Sequence, residues 1–326
     1  MKSFHRTMGF LSGIFLLIII LSVTVASSYM QRNDISFEDL FDGSSSIQYG
    51  NDWNFNGNFI FNQTNKSSDY ETRIIEKNET FDIVDELFIS TTIEEVVFVE
   101  EDRSDILVEY YRESPDTGAY DVKYKTSSTS NKLSVSTSLS IRNLRLNKEY
   151  KGKITIHIPS DYIFEKVTLD SGAAKIRTEN IYSKTRALSI IASFGDIDIT
   201  TDSPIEKVNV RCNLGSITLN VNKPINDLYI DCEMGDIKIN TSSIIEYVSV
   251  VNNMGSINAD FLENISGATF ENNMGDINVT FHKNDDMAIY IDTNLGDTSS
   301  DYSTTSSNNT NFSFMTNMGS IKVKDH

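Results

Sequence analysis

Histidine, cysteine and positive charge are scarce in this chain of 326 residues. There are four histidines, His5, His157, His282 and His326, and no two have metal-ligand spacing, which removes the common zinc arrangements. No G-x-S-x-G, H-E-x-x-H or Walker loop is present, nor a Cys/His pair arranged for nucleophilic catalysis. Lysine and arginine total 28 against 46 acidic residues, a formal net charge of −18. That balance excludes a nucleic-acid surface and docking on anionic lipid by charge. The acidic groups Glu94-Glu95 and Glu100-Glu101-Asp102 read as solvated charge beside a strand and in a turn. Catalysis has no visible home. The two cysteines, Cys212 and Cys232, both lie far from the apolar run near the N-terminus, so no lipid anchor on cysteine is expected.

What the chain has in abundance is repetition. The phrases SFGDIDI, NLGSITL, EMGDIKI, NMGSINA, NMGDINV, NLGDTSS and NMGSIKV surround Gly195, Gly215, Gly235, Gly255, Gly275, Gly296 and Gly319. Their glycines are 20 residues apart four times, then 21 and 23. A weaker copy, LDSGAAKI, precedes them at Gly172. A fixed period of this length marks stacked repeats. Seven residues before the glycines stand Leu188, Val208, Leu228, Val248, Ala268, Ile289 and Phe312; five before stand Ile190, Val210, Ile230, Val250, Phe270, Ile291 and Phe314. Phe194, Leu214, Met234, Met254, Met274, Leu295 and Met318 come one before, so an inward apolar face is expected every second residue up to the glycine. Two residues past the glycine the apolar series resumes with Ile197, Ile217, Ile237, Ile257, Ile277 and Ile321. The one-residue phase slip needs a corner where glycine takes positive φ. Pro204 and Pro224 fall in the return loops, outside the strands. A lone rung must order 20 residues at about 1.5 kcal/mol each, against six apolar side chains worth ~1.5–3 kcal/mol apiece. Only stacking closes that deficit. The expected fold is all-β, a parallel β-solenoid of about 20-residue rungs, preceded by a β-rich capping region and an N-terminal transmembrane or signal segment.

Taken in order, residues 1–7 form a basic cytoplasmic segment and the apolar run 8–26 a membrane anchor or signal segment. Acidic residues beyond it orient the chain with everything downstream outside the cytoplasm. The expected location is the cell membrane, as a single-pass protein with an extracytoplasmic C-terminal domain, or outside the cell after signal cleavage. Residues 27–69 read as a flexible Asn/Ser-rich linker, 70–160 as the β-rich N-terminal region and 161–326 as the repeat solenoid. The insert Ser299–Asn311 reads as a polar loop before the last rung, whose Lys322, Lys324, Asp325 and His326 would blunt the final strand edge with charge. NMGSIKVKDH being that rung, no C-terminal membrane span is expected.

Cys212 and Cys232 share a column three residues before consecutive glycines. Neighbouring rungs bring them within disulfide range, yet in-register side chains on parallel strands stand about a strand spacing apart, which favours buried free thiols. Asn252, Asn272, Thr293 and Thr316 continue the column and should bond along the axis and to corner carbonyls. Just after the glycines, Asp196, Ser216, Asp236, Ser256, Asp276, Asp297 and Ser320 mostly alternate, keeping like charges apart. A calcium ladder is the alternative reading, though the nine-residue glycine-rich calcium pattern is absent; no other cofactor is implied. Candidate binding faces are the corner column Asn213, Glu233, Asn253, Asn273, Asn294 and Asn317, and the column Asp198, Thr218, Lys238, Asn258 and Asn278.

The stretch KITIHIPSDYIFEKVTLDSGAAKIRTENI at 153–181, the repeated G-[DS]-I phrases, and DELFISTTIEEVVFVEEDRSDILVEYY at 85–111 together resemble the bacterial "putative adhesin" family, a domain of unknown function on anchored envelope proteins. The likeness runs from about Phe81 to His326; Ala173-Ala174 departs from the Gly-Asp-like turn usual there. It implies a β-solenoid outside the cell, linked to adhesion or envelope-stress systems, and carries over no catalytic residue. The function expected is a non-enzymatic, membrane-tethered protein that binds an envelope glycan or a surface protein. The alternatives are an accessory of an envelope-sensing system working through a protein partner, and a polysaccharide-active β-helix enzyme.

Overall fold

A computed structural model describes residues 72–115, 120–141, 151–160, 162–173, 176–178, 185–282, 287–307 and 310–326. The expected segments 1–7, 8–26 and 27–69 lie outside the described residues. Among the described residues there is no helix, and the strands form three sheets of twelve, eight and four.

The repeats pair a long strand with a short one. They are β10 (Thr185–Phe194) with β11 (Ile197–Thr201), β12 (Ile205–Leu214) with β13 (Ile217–Val221), β14 (Ile225–Met234) with β15 (Ile237–Thr241), and β16 (Ile245–Met254) with β17 (Ile257–Phe261). Then follow β18 (Gly267–Met274) with β19 (Ile277–Phe281), β20 (Ala288–Leu295) with β21 (Thr298–Ser300), the bridge strand β22 (Ser303–Thr304), and β23 (Phe312–Met318) with β24 (Ile321–Asp325). Long strands stack in parallel in the twelve-stranded sheet and short ones in the eight-stranded sheet. Register is strict: Leu188, Val208, Leu228, Val248, Ala268 and Phe312 are successive partners. All are buried, as are the Ile190-to-Phe314 series, apart from the half-buried Ile291, and the Ile197-to-Ile321 series across from it. Residues on one face of each sheet therefore meet in a single core. Phenylalanines fill its later rungs, with Phe261 stacked on Phe281 and Phe270 on Phe314.

The order of rungs in space departs from the order in sequence. β23 lies between β18 and β20, and β24 between β19 and β21. The C-terminal rung is interior, and the rung of β20 and β21 lies outside it, with the two-residue β22 beyond β20. Composition gives the reason. The C-terminal rung buries Phe312, Phe314, Ile321 and Val323, whereas β21 reads Thr-Ser-Ser and has no apolar residue to bury. The polar rung belongs at the open end. The charged tail thus does not blunt a free edge: Lys322 sits between Asn278 and Ser299 in register, and His326 pairs with Asp260 at 2.7 Å. Part of the expected polar loop 299–311 is strand, in β21 and β22.

The N-terminal region repeats the same exchange. β2 (Glu86–Thr91) lies between β8 (Phe164–Ser171) and β6 (Lys132–Ile141), parallel to both. β3 (Glu95–Glu101) runs parallel to β7 (Lys151–Pro159). Beyond them β4 (Ile106–Pro115) turns antiparallel on β7, and β1 (Thr72–Phe81) antiparallel on β4. In the large sheet β5 (Tyr120–Ser128) takes the edge, while β9 (Ile176–Thr178) ends the eight-stranded sheet.

Candidate functional site

The corner of each rung is built around its glycine. At Gly235 φ is +152°, and a β-carbon there would stand 2.0 Å from the carbonyl oxygen of Gly215 in the preceding rung. Any side chain would collide with backbone, so the column admits glycine alone. The stacking that demands glycine also aligns its carbonyls, and the column three residues earlier supplies donors to them. Asn252 Nδ2 donates to Gly235 O at 3.1 Å and Asn272 Nδ2 to Gly255 O at 2.7 Å. Thr316 and Thr293 hydroxyls donate to Gly275 O and Gly319 O. Cys212 and Cys232 occupy the same places, their thiols 3.7 Å and 3.6 Å from Gly195 O and Gly215 O. Both cysteines are free, buried and in register. The hydrogen bond with Cys212, then burial, pushes the Cys232 thiol up, so it stays a thiol. These cysteines are small donors in a column of donors.

Just past the glycine, the carboxylates cap the next rung. Asp196, Asp236 and Asp276 accept the backbone N–H of Ser216, Ser256 and Ser320 at 3.1, 2.8 and 2.8 Å. In space the column reads Asp276, Ser320, Asp297, so the exchange of rungs restores the alternation that the sequence breaks. Carboxylates then stand two strand spacings apart, about 9.6 Å. Among the described residues, no three of His, Cys, Asp and Glu are grouped to hold a metal.

Two columns face outward at this corner. Asn294 donates to Asn317, Asn317 to Asn273, Asn273 to Asn253 and Asn253 to Glu233, at 2.7–3.3 Å. This is one continuous amide ladder. Each inner amide has two N–H groups and two carbonyl lone pairs; the ladder uses one of each and leaves the others for solvent or a ligand. Asn213 is exposed in the same column, opposite Glu233's rung. Beside the ladder runs the column expected to point inward. Phe194, Leu214, Met234, Met254, Met318 and Leu295 are 38–66 % exposed, and only Met274 is half-buried. The phase slip occurs ahead of the glycine: the last inward residue is three before it, the next two after it. In the outer column of the short strands, Asn278 bonds Asn258 at 3.2 Å, while Asp198, Thr218 and Lys238 carry no such chain of amides.

One acidic residue is not solvated. Glu94 is buried, and its Oε2 accepts Thr137 Oγ1 at 2.6 Å and the N–H groups of Thr92 and Ile93 at 3.2 Å. A buried carboxylate that ties a turn to a neighbouring strand leaves no pattern in sequence. Glu101 is anchored too, accepting from His157 and Arg103, and the His157 hydrogen bond holds its carboxyl below the usual range.

The family model described as Toastrack DUF4097 matches residues 84–324. The chain belongs to this family. No curated protein matches it. Among solved structures, a likeness is found to a "putative adhesin" of Bacteroides fragilis, 14 % identical, with a TM-score of 0.44, covering 78 % of this chain and 97 % of that one. A "putative adhesin" of Parabacteroides merdae is 8 % identical with a TM-score of 0.35, covering 78 % and 96 %. A "putative lipid binding protein" of Parabacteroides distasonis is 11 % identical with a TM-score of 0.32, over the same shares. The names belong to those proteins.

Proposed function

We propose that this Toastrack chain is a non-catalytic binding protein of the cell surface, held at the membrane by residues 8–26, that meets an envelope component along its glycine corner. The observation that carries the reading is the amide ladder lying beside an exposed Phe/Leu/Met column. The N–H and carbonyl valences that the ladder leaves over at Asn253, Asn273 and Asn317 lie next to apolar surface, and an exposed contiguous apolar stripe marks an interaction surface. The test is binding of the full chain, in detergent, to envelope material and a glycan panel with and without calcium. Saturable binding weakened by Asn253→Ala, Asn273→Ala and Asn294→Ala together supports the corner. A folded chain that binds nothing overturns it.

The apolar column also favours a second reading, an accessory that works through a protein partner, because methionine side chains adapt to partner surfaces. Pull-down of one defined protein, lost in Met234→Ser with Met254→Ser and retained in the asparagine variant, would select this reading over the first.

A further inference from the structure

Methionine is among the residues most often fully buried, yet four of the chain's nine methionines stand in one outward column of the glycine corner. Met234, Met254, Met274 and Met318 are successive partners in register. Met234, Met254 and Met318 are 45, 38 and 45 % exposed, and Met274 is half-buried. In sequence order Leu295 interrupts the run. The exchange of rungs removes the interruption, because β23 brings Met318 to the strand next to Met274 and leaves Leu295 beyond it.

Three features set this run apart from a plain apolar stripe. Phe194, Leu214 and Leu295 occupy the same column at its two ends and are exposed there, so the corner accepts a hydrocarbon and packing does not demand sulfur. Spacing is the second feature. Adjacent strands lie about 4.8 Å apart, and two metal–sulfur bonds of about 2.3 Å, the length found in zinc thiolates, span about 4.6 Å. One ion can therefore bridge the thioethers of neighbouring rungs, and the three rotatable bonds of methionine let a third sulfur close in. Charge is the third. From two residues before to one after the glycines of these four rungs there is no lysine or arginine, while Glu233, Asp236 and Asp276 supply carboxylates, and a surface of that sign concentrates cations.

We propose that the methionine column binds copper(I) through the thioether sulfurs of Met234, Met254, Met274 and Met318, two or three to an ion. Thioethers are soft ligands that select copper(I) over hard divalent ions. The buried cysteines take no part, since their thiols are directed at the glycine carbonyls behind the corner. The site shares its column with the corner reading but does not rest on it. Leucine in place of methionine keeps the apolar surface that a glycan or a protein partner would meet and removes only the sulfur.

The experiment is titration calorimetry of the full chain in detergent and chloride-free buffer with silver(I), a soft stand-in that does not change oxidation state, against zinc(II) and calcium(II). Copper(I), kept reduced by ascorbate, is then competed against the chelator bicinchoninate. Saturable silver(I) binding at least about tenfold tighter than that of either divalent ion, with copper(I) withdrawn from the chelator, is the expected result. The chain carrying Met234→Leu, Met254→Leu, Met274→Leu and Met318→Leu should bind both ions at least about tenfold more weakly. Leucine is close to methionine in volume, so an unchanged urea midpoint confirms that this variant folds, and its binding to envelope material tests the corner reading separately. Cys212→Thr with Cys232→Thr leaves the silver(I) affinity unchanged. No silver(I) binding, equal affinity for zinc(II), copper(I) left on the chelator, loss of binding in the cysteine variant, or binding indifferent to the four leucines would each overturn the proposal.

Discussion

Gly235→Ala tests the corner argument most directly. The substitution adds one methyl group at φ +152°, aimed at Gly215 O from 2.0 Å, more than 1 Å inside ordinary contact. Backbone strain of a side chain at such φ costs about 1–3 kcal/mol. Relief requires Gly215 to retreat, and its neighbourhood is bonded onward: Gly215 N–H donates to Met234 O and Ile217 N–H to Asp236 O, both at 2.9 Å. Each weakened bond costs about 0.5–1.5 kcal/mol, which brings the expected loss to about 2–6 kcal/mol. Urea unfolding followed by circular dichroism measures it, with Lys238→Ala as the control, an exposed residue of the same rung where a change within about 0.5 kcal/mol is expected. Because a stacked-repeat chain can unfold in stages, amide exchange at Ile217 and Ile237 locates the damage. A midpoint for Gly235→Ala equal to that of Lys238→Ala would refute the stacking of glycine on glycine as the reason for the repeat.

The donor column predicts that Cys212→Thr with Cys232→Thr is tolerated and Cys212→Val with Cys232→Val is not: the side chains have similar volume, but two valines leave Gly215 O without either thiol, at a cost of about 1–3 kcal/mol seen in the urea midpoint. Thiol reagents should find neither cysteine in the folded chain and both in urea. The lowered carboxyl of Glu101 stabilises the fold above its ordinary value of 4.5, and that contribution is lost as pH falls through the folded value. The difference in urea midpoint between the natural chain and Glu101→Gln therefore shrinks from pH 7 to pH 3; a constant difference would remove His157 as its cause. Nitroxide labels at 273 and 317 should show stronger dipolar broadening than labels at 273 and 294, the reverse of what stacking in sequence order gives.

The periodic parts of this fold are legible because stacking writes the same demand into every rung. Glycine at the corner, isoleucine two residues on and the paired inward columns each answer a contact made again about 4.8 Å away, so seven copies announce it. The outward turn of the Phe194-to-Met318 column was not legible, since apolar character at one residue before the glycine is compatible with either face until the point of the phase slip is known. Glu94 and the packing of Tyr247 over Gly267 were hidden for a related reason: each depends on residues from different rungs that no period brings together. Tyr247 and Gly267, for instance, are informative only as neighbours.

The exchanged rungs are the instructive case, because the sequence carried their signal in two places. Asp276 and Asp297 follow one another in the sequence series, an apparent lapse in an otherwise alternating column, and the rung at 288–300 alone lacks an apolar residue two past its glycine. Stacking in sequence order would put those two carboxylates on adjacent strands and bury a Thr-Ser-Ser strand between two apolar ones. Inserting the C-terminal rung removes both penalties at once. Ser320 then separates Asp276 from Asp297, with its N–H donated to Asp276, and the polar strand faces the open end. The apparent defect in the repeat is thus the feature that sets the order of the stack, and Ser320→Asp, which puts three carboxylates on consecutive strands, should destabilise the chain more than the same change at an isolated exposed serine.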